Sequence, residues 1–163
     1  MMLSKKMAEA ISRQINMEFS AYYAYLGIAV WFDLKNLPGF ANWFYKQSKE
    51  EQEHAMKLVK YMVERDGEVS LERIDSPKFS LSSPLSAFKL ALSHEEKNTA
   101  AIWSLHAVAE AEGDLATMSE LKWFIDEQVE EESSANSCLA RVMMGGDDTA
   151  AILSLDHEFS TRE

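Results

Sequence analysis

The sequence predicts an all-α protein: a four-helix bundle with one long crossover between helices two and three and a short fifth C-terminal helix. Three observations carry this. Breakers are scarce, with 3 Pro and 6 Gly in 163 residues, which favours long helices over a many-stranded β fold. Apolar residues recur alternately three and four apart along four long stretches, as on a helix that buries one face. The breaks between those stretches are uneven: two are tight, and a long Ser-rich one lies between them.

The first helix is expected from about Lys5 to Asp33, where Asn36-Leu37-Pro38-Gly39 breaks it. The second runs from about Phe40 to Arg65 and stops at Asp66-Gly67. Residues 68–83 contain Pro77 and no periodicity, so they read as the long connection. Ser83-Pro84 starts the third helix, with Pro in the first turn. That helix continues to about Glu112, and Gly113-Asp114 turns the chain. The fourth ends near Met144, before Gly145-Gly146. The fifth spans Asp148 to about Asp156. A long link in the middle of the order makes helices two and three parallel. The length suits one domain over residues 1–163.

Composition narrows the function classes. With 47% hydrophobic and 26% charged residues the chain should fold as a globule. The net charge of −11 disfavours nucleic acid, whose phosphates an acidic surface repels. It suits drawing cations inward, and equally a merely well-solvated acidic protein. The single cysteine, Cys138, cannot form an intrachain disulfide. The longest apolar run, Ala21 to Phe32, is too short to span a bilayer. No secretory leader pattern follows Met1. The expected location is cytoplasmic, without a membrane partner.

The predicted seams are specific. The first helix offers Ile11, Ile15, Glu18, Tyr22, Tyr25, Ala29 and Phe32. The second offers Phe40, Phe44, Gln47, Glu51, His54, Leu58 and Tyr61. The third offers Leu85, Phe88, Leu92, Glu95, Thr99, Ile102, His106 and Ala109. The fourth offers Leu121, Phe124, Gln128, Glu131, Ala135, Cys138 and Val142. Each seam is interrupted near its middle by a carboxylate: Glu18, Glu51, Glu95 and Glu131. His54 follows Glu51 by one turn, and Gln128 precedes Glu131 by one turn. Glu18 and Glu95, Glu51 and Gln128, and His54 and Glu131 are each 77 residues apart. The second helix pair therefore repeats the polar positions of the first.

A carboxylate buried without a partner costs several kcal/mol, and four together repel one another. No Lys or Arg occupies the seams to offset them. Two divalent cations would balance four negative charges. Oxygen-rich ligands with one imidazole suit iron or manganese better than a thiolate-seeking metal. The general pattern of di-iron carboxylate bundles is a Glu from each of two helices and Glu-x-x-His from the other two.

These residues resemble the ferritin family, in particular the haem-free ferritins of bacteria and archaea. The resemblance covers essentially the whole chain. It is strongest over Asn16-Met17-Glu18-Phe19-Ser20-Ala21-Tyr22, over Glu50-Glu51-Gln52-Glu53-His54-Ala55-Met56, and over residues 123–132. The resemblance implies ferroxidase activity: Fe(II) is oxidised to Fe(III) with dioxygen or hydrogen peroxide, and ferric mineral is stored in a shell of twenty-four subunits. It assigns Glu18, Glu51 and His54 to the first iron. Glu51 bridges to the second, held with Glu95 and Glu131, and Gln128 lies beside the pair. Tyr25 corresponds to the family tyrosine near the irons, as electron donor, hydrogen-bond donor or core packing. Glu50, Glu127 and Glu130 match a third iron site; without the resemblance they read as ordinary exposed glutamates. The fifth helix resembles the one that family members place near the fourfold axis.

Departures refine this. Gln52 stands where haem ferritins carry the haem-binding methionine, and Glu131 where they carry His, so no haem is expected. Met118 and Leu121 replace the pore carboxylates of animal ferritins, which puts an acidic threefold channel in doubt. One cysteine excludes the cysteine-rich iron domain of rubrerythrins. His106 is expected as a hydrogen-bonded core residue, His94 as pointing off the seam, and Trp123 and the methionines as packing. His157 carries no signal. Gly27, inside the first helix, costs roughly 1 kcal/mol against Ala. Two rival functions remain at this stage: a stand-alone diiron oxidase or peroxidase without storage, and a structural helical bundle that binds no metal.

Overall fold

Four of the five helices begin where a side chain satisfies an orphan N–H group, and α2 begins instead on a proline. In a computed structural model, which describes residues 2–161, Ser4 Oγ accepts from Met7 N and opens α1, Lys5–Leu34. Pro38 opens α2, Pro38–Glu64, where its missing N–H costs nothing. Ser83 and Ser86 form a reciprocal capping box at the start of α3, Pro84–Glu112. Asp114 caps α4, Leu115–Gly145, and Asp148 caps α5, Thr149–Phe159. No strand occurs among the described residues.

The sequence placed Pro38 and Gly39 in a break, but they form the first turn of α2. It ended the fifth helix at Asp156, but α5 continues to Phe159. The aromatic residue explains the extension: Phe159 is buried against Phe40, with ring centroids 5.1 Å apart. Gly39 permits this docking. A Cβ there would lie 1.5 Å from the Asp156 carbonyl oxygen, and Asp156 Oδ1 accepts from Phe40 N at 2.9 Å.

α1 packs along α2 and α3 along α4, and the two hairpins meet through α1 and α3. Two apolar clusters show the helix directions. One joins the N-terminal parts of α2 and α3 to the C-terminal parts of α1 and α4, through Phe40, Phe88, Phe32 and Val142. The other joins the opposite ends, through Leu58, Ile102, Ile11 and Leu121. Hence α2 and α3 run parallel, as the long connection requires. That connection is fastened to α1. Asn16 Nδ2 donates to Ser70 O at 2.8 Å, and Glu72 N donates to Asn16 Oδ1 at 2.9 Å. Among the described residues, no helix is long and apolar enough to cross a membrane.

The second seam is buried as predicted. The other three differ in places. Ala21 is buried rather than Tyr22, Ala87 and Ala91 rather than Leu85 and Leu92, Leu105 rather than His106, and Leu139 rather than Cys138. The misses are isolated swaps with a nearby position, and Phe32, Ala109 and Val142 beyond them are buried as predicted, because the apolar stripe of a packed helix is wider than one residue per turn. The polar positions all remain inward.

Candidate metal centre

Between the two apolar clusters lies a polar layer. Glu18 from α1, Glu51 and His54 from α2, Glu95 from α3, and Gln128 and Glu131 from α4 are all buried. No Lys or Arg is among the buried residues described. Among the described residues, the four carboxylates therefore have no buried Lys or Arg beside them.

Their ligand atoms form three overlapping groups, each with all atoms within 4.8 Å of one another: Glu18, Glu51 and His54; Glu51, His94 and Glu95; and His54, Glu127 and Glu131. Glu51 and His54 each belong to two groups. The layer is thus one continuous site rather than separate acids.

Protein donors are distributed unevenly across it. Glu18 accepts from Gln14 Nε2 at 2.7 Å and from Asn98 Nδ2 at 3.3 Å. Glu95 accepts from the Tyr25 hydroxyl and from Gln128 Nε2, the latter at 3.3 Å. Glu131 accepts from Gln47 Nε2 at 2.5 Å. Neither oxygen of Glu51 has a hydrogen-bond partner, nor does Nδ1 of His54, which lies 3.9 Å from Glu51 Oε2. Orphaned buried polar atoms each cost on the order of 1–3 kcal/mol, more when charged. Glu51 is also the carboxylate common to two of the groups. The residues present therefore suit cations held around Glu51.

The electrostatics agree. Burial, and then the charges of Glu18 and Glu95, push the Glu51 carboxyl well above the usual range. Burial pushes Glu95 up to about 7, although the hydrogen bonds from Tyr25 and Gln128 pull the other way. Burial and the same acids hold the Tyr25 phenol well above its ordinary value. All three shifts arise from negative charge confined in an apolar bundle. A bound cation reverses that balance.

On the α2/α4 side the layer opens into a pocket of about 570 Å³. Glu50, Glu127 and Glu130 line it together with His54 and Glu131, so the expected third-site glutamates do converge beside the buried layer. Trp123, expected as packing, is 38% exposed and borders this pocket edge-on to His54 at 5.5 Å. Lys57 Nζ stands 4.8 Å from the Trp123 ring centre.

His94 corrects a sequence expectation. It turns toward the centre, stacking edge-on against Tyr25 at 5.2 Å, and its buried Nε2 has no hydrogen-bond partner. Burial, and then Lys97, lower it to about 4. Its inward turn carried no periodic signal, because adjacent helix residues point about 100° apart. Gln14 and Asn98 were also missed. They lie four residues before Glu18 and three after Glu95, spacings that place them on the seam faces. Leu121, one of the two pore-position residues, is a core residue at 1% exposure.

Residues 8–144 match the ferritin-like domain family. A bacterial non-heme ferritin from Staphylococcus aureus is 38% identical over 161 residues, covering 99% of this chain and 97% of that protein. The counterpart from Staphylococcus epidermidis is 37% identical over the same length. Among solved structures, an open-pore ferritin from the hyperthermophilic archaeon Archaeoglobus fulgidus superposes with a TM-score of 0.97 at 42% identity, covering all of both chains. An engineered closed form of that archaeal ferritin gives 0.96 at 43% identity, covering 99% of this chain and 98% of the other.

Proposed function

The chain belongs to the ferritin family, and on that premise we propose that it is a haem-free iron-storage ferritin with ferroxidase activity. The single observation that carries this is the orphaned pair at the middle of the buried layer. Both oxygens of Glu51 and Nδ1 of His54 lack hydrogen-bond partners, among four carboxylates with no Lys or Arg among the buried residues described.

Two Fe(II) ions are the substrate. Glu18, Glu51 and His54 hold the first, and Glu51, Glu95 and Glu131 hold the second, with Gln128 beside them. Each Fe(II) gives one electron. Dioxygen takes two electrons and two protons and leaves as hydrogen peroxide, which can itself oxidise a second pair. Hard carboxylate oxygens favour the higher charge of Fe(III) over Fe(II), which assists the step. Gln14, Asn98, Gln47 and Tyr25 donate to Glu18, Glu131 and Glu95, so these carboxylates are oriented before iron arrives. Glu50, Glu127 and Glu130 take iron at a third position on the open side.

Storage requires a hollow assembly, since a bundle of 18.5 kDa encloses no mineral-sized space. The family solution is a shell of twenty-four subunits, with α5 toward the fourfold axis, in the cytoplasm. Gln52, exposed on α2, replaces the haem-binding methionine.

The test is anaerobic Fe(II) titration followed by stopped-flow oxidation, comparing wild type with Glu51→Ala. Tight uptake and fast oxidation in wild type, both lost in the variant, are the expected result. Equal oxidation rates would sink the assignment. A light-scattering mass of a monomer or dimer would remove storage and leave a stand-alone oxidase.

A further inference from the structure

On the α1/α3 side, away from the acidic pocket, the helices part beneath the crossover and leave a cavity of about 130 Å³. Pro77, Lys78 and Phe79 of the crossover line it together with Ala24, Ile28 and Leu90. Tyr25 and His94 also line it, and both reach the buried layer. The Tyr25 hydroxyl donates to Glu95, and His94 offers an atom within 4.8 Å of Glu51 and Glu95. One layer of side chains therefore separates this cavity from the carboxylates.

The crossover wall depends on Gly27. A Cβ on that residue would lie 3.1 Å from Phe79 Cζ and 3.8 Å from Pro77 Cγ. The Phe79 ring rests on bare helix backbone, so a glycine that weakens α1 locally also seats the lid of the cavity.

We infer that this cavity is the docking site through which dioxygen reaches the centre, an inference that rests on the ferroxidase reading above. No carboxylate lines it, and the one charged residue in its lining, Lys78, repels iron. Hydrogen peroxide carries two O–H donors, and this wall offers it little beyond the Tyr25 hydroxyl and the His94 ring. Most of its lining is apolar, and apolar pockets of roughly this size take up apolar gases such as xenon. A small uncharged gas is the reactant that fits. The cation and the oxidant then approach the carboxylates from opposite sides of the bundle.

Two measurements test this. Crystals pressurised with xenon should show density beside Tyr25 and His94 in wild type and none in Ala24→Phe, which fills the cavity. In stopped flow, protein loaded anaerobically with Fe(II) is mixed with dioxygen or with hydrogen peroxide. Ala24→Phe should bind the same Fe(II), lose about tenfold in the rate constant with dioxygen, and keep its rate with peroxide. Leu90→Phe, from the facing helix, gives the same comparison should Ala24→Phe fail to fold. An empty cavity under xenon, unchanged dioxygen kinetics in the filled variants, or equal slowing with both oxidants would each overturn the inference. A wild-type protein that binds xenon but oxidises no iron would instead remove the ferroxidase reading.

Discussion

The α2/α4 face of the buried centre gathers Glu50, Glu53, Glu127, Glu130 and Glu131 around His54, in a pocket of about 570 Å³. The α1/α3 face gathers alanine, leucine, isoleucine and phenylalanine around Tyr25 and His94, in a cavity of about 130 Å³. Both faces serve the same carboxylates. The difference teaches that a four-helix bundle can sort its reactants by side. The groove between one pair of helices is charged and wet, while that between the other is apolar and covered by the crossover. Each helix contributes one stripe to the centre, while α2 and α4 line the acidic groove and α1 and α3 the apolar one.

Substitutions can break this comparison, and the largest effect belongs to the residues the two faces share. His54→Ala removes an imidazole that touches both the centre and the acidic pocket. Iron oxidation should fall by more than the roughly 10–100-fold that losing a ligand's supporting partner costs, measured by the initial rate of ferric absorbance or by oxygen uptake. Next comes the polar support. Asn98→Leu strips a donor from Glu18 and from Gln128, each at 3.3 Å. Affinity for the first Fe(II) should drop by about 10–100-fold in an anaerobic titration, with the fold intact by circular dichroism.

Acidity sharpens the contrast between loaded and empty centres. Glu95 titrates near 7 in the folded chain, against an ordinary 4.5. Below about pH 4.5 it is protonated in both folded and unfolded chains, and the folded state keeps its full advantage. That advantage is lost as pH rises through about 7, because the carboxylate must then ionise in an apolar layer. The metal-free protein should therefore lose stability between about pH 4.5 and 7, and a bound divalent cation should restore it. Denaturant midpoints taken with and without metal check this. A midpoint that climbs over that range without metal would contradict the electrostatic account.

Smaller effects probe each face alone. Glu130→Gln should reduce Fe(II) bound per subunit on the acidic side while leaving fast oxidation at the buried pair intact. The smallest expected change is Gly27→Ala. The helix gains roughly 1 kcal/mol, and the Phe79 ring must shift by a few tenths of an ångström. The melting temperature should move little, so a change in the dioxygen rate would report the crossover wall itself.

Much of this was legible along the chain. Scarce breakers, four apolar stripes and one long Ser-rich link specify a bundle with a single crossover, because periodicity and turn chemistry act locally. The six polar seam positions were legible for a related reason. A buried charge that interrupts an apolar stripe stands out, and a 77-residue repeat aligns the interruptions. Cys138, His106 and Leu92 show where that logic weakens, since the buried stripe is wider than one residue per turn and a nearby position takes the burial.

What the sequence by itself determined is therefore the bundle and the identity of the acids in its middle. Only the tertiary structure decided which acid stays without a donor, which groove is acidic, and where His94 turns. Glu51 and Glu95 read alike as interruptions, yet Tyr25 and Gln128 reach one and no donor reaches the other. The physical reason is that burial and hydrogen bonding depend on what three other helices and the crossover bring to a residue. Phe79 lies 52 positions from Gly27 and still rests on it, a contact that no local pattern encodes.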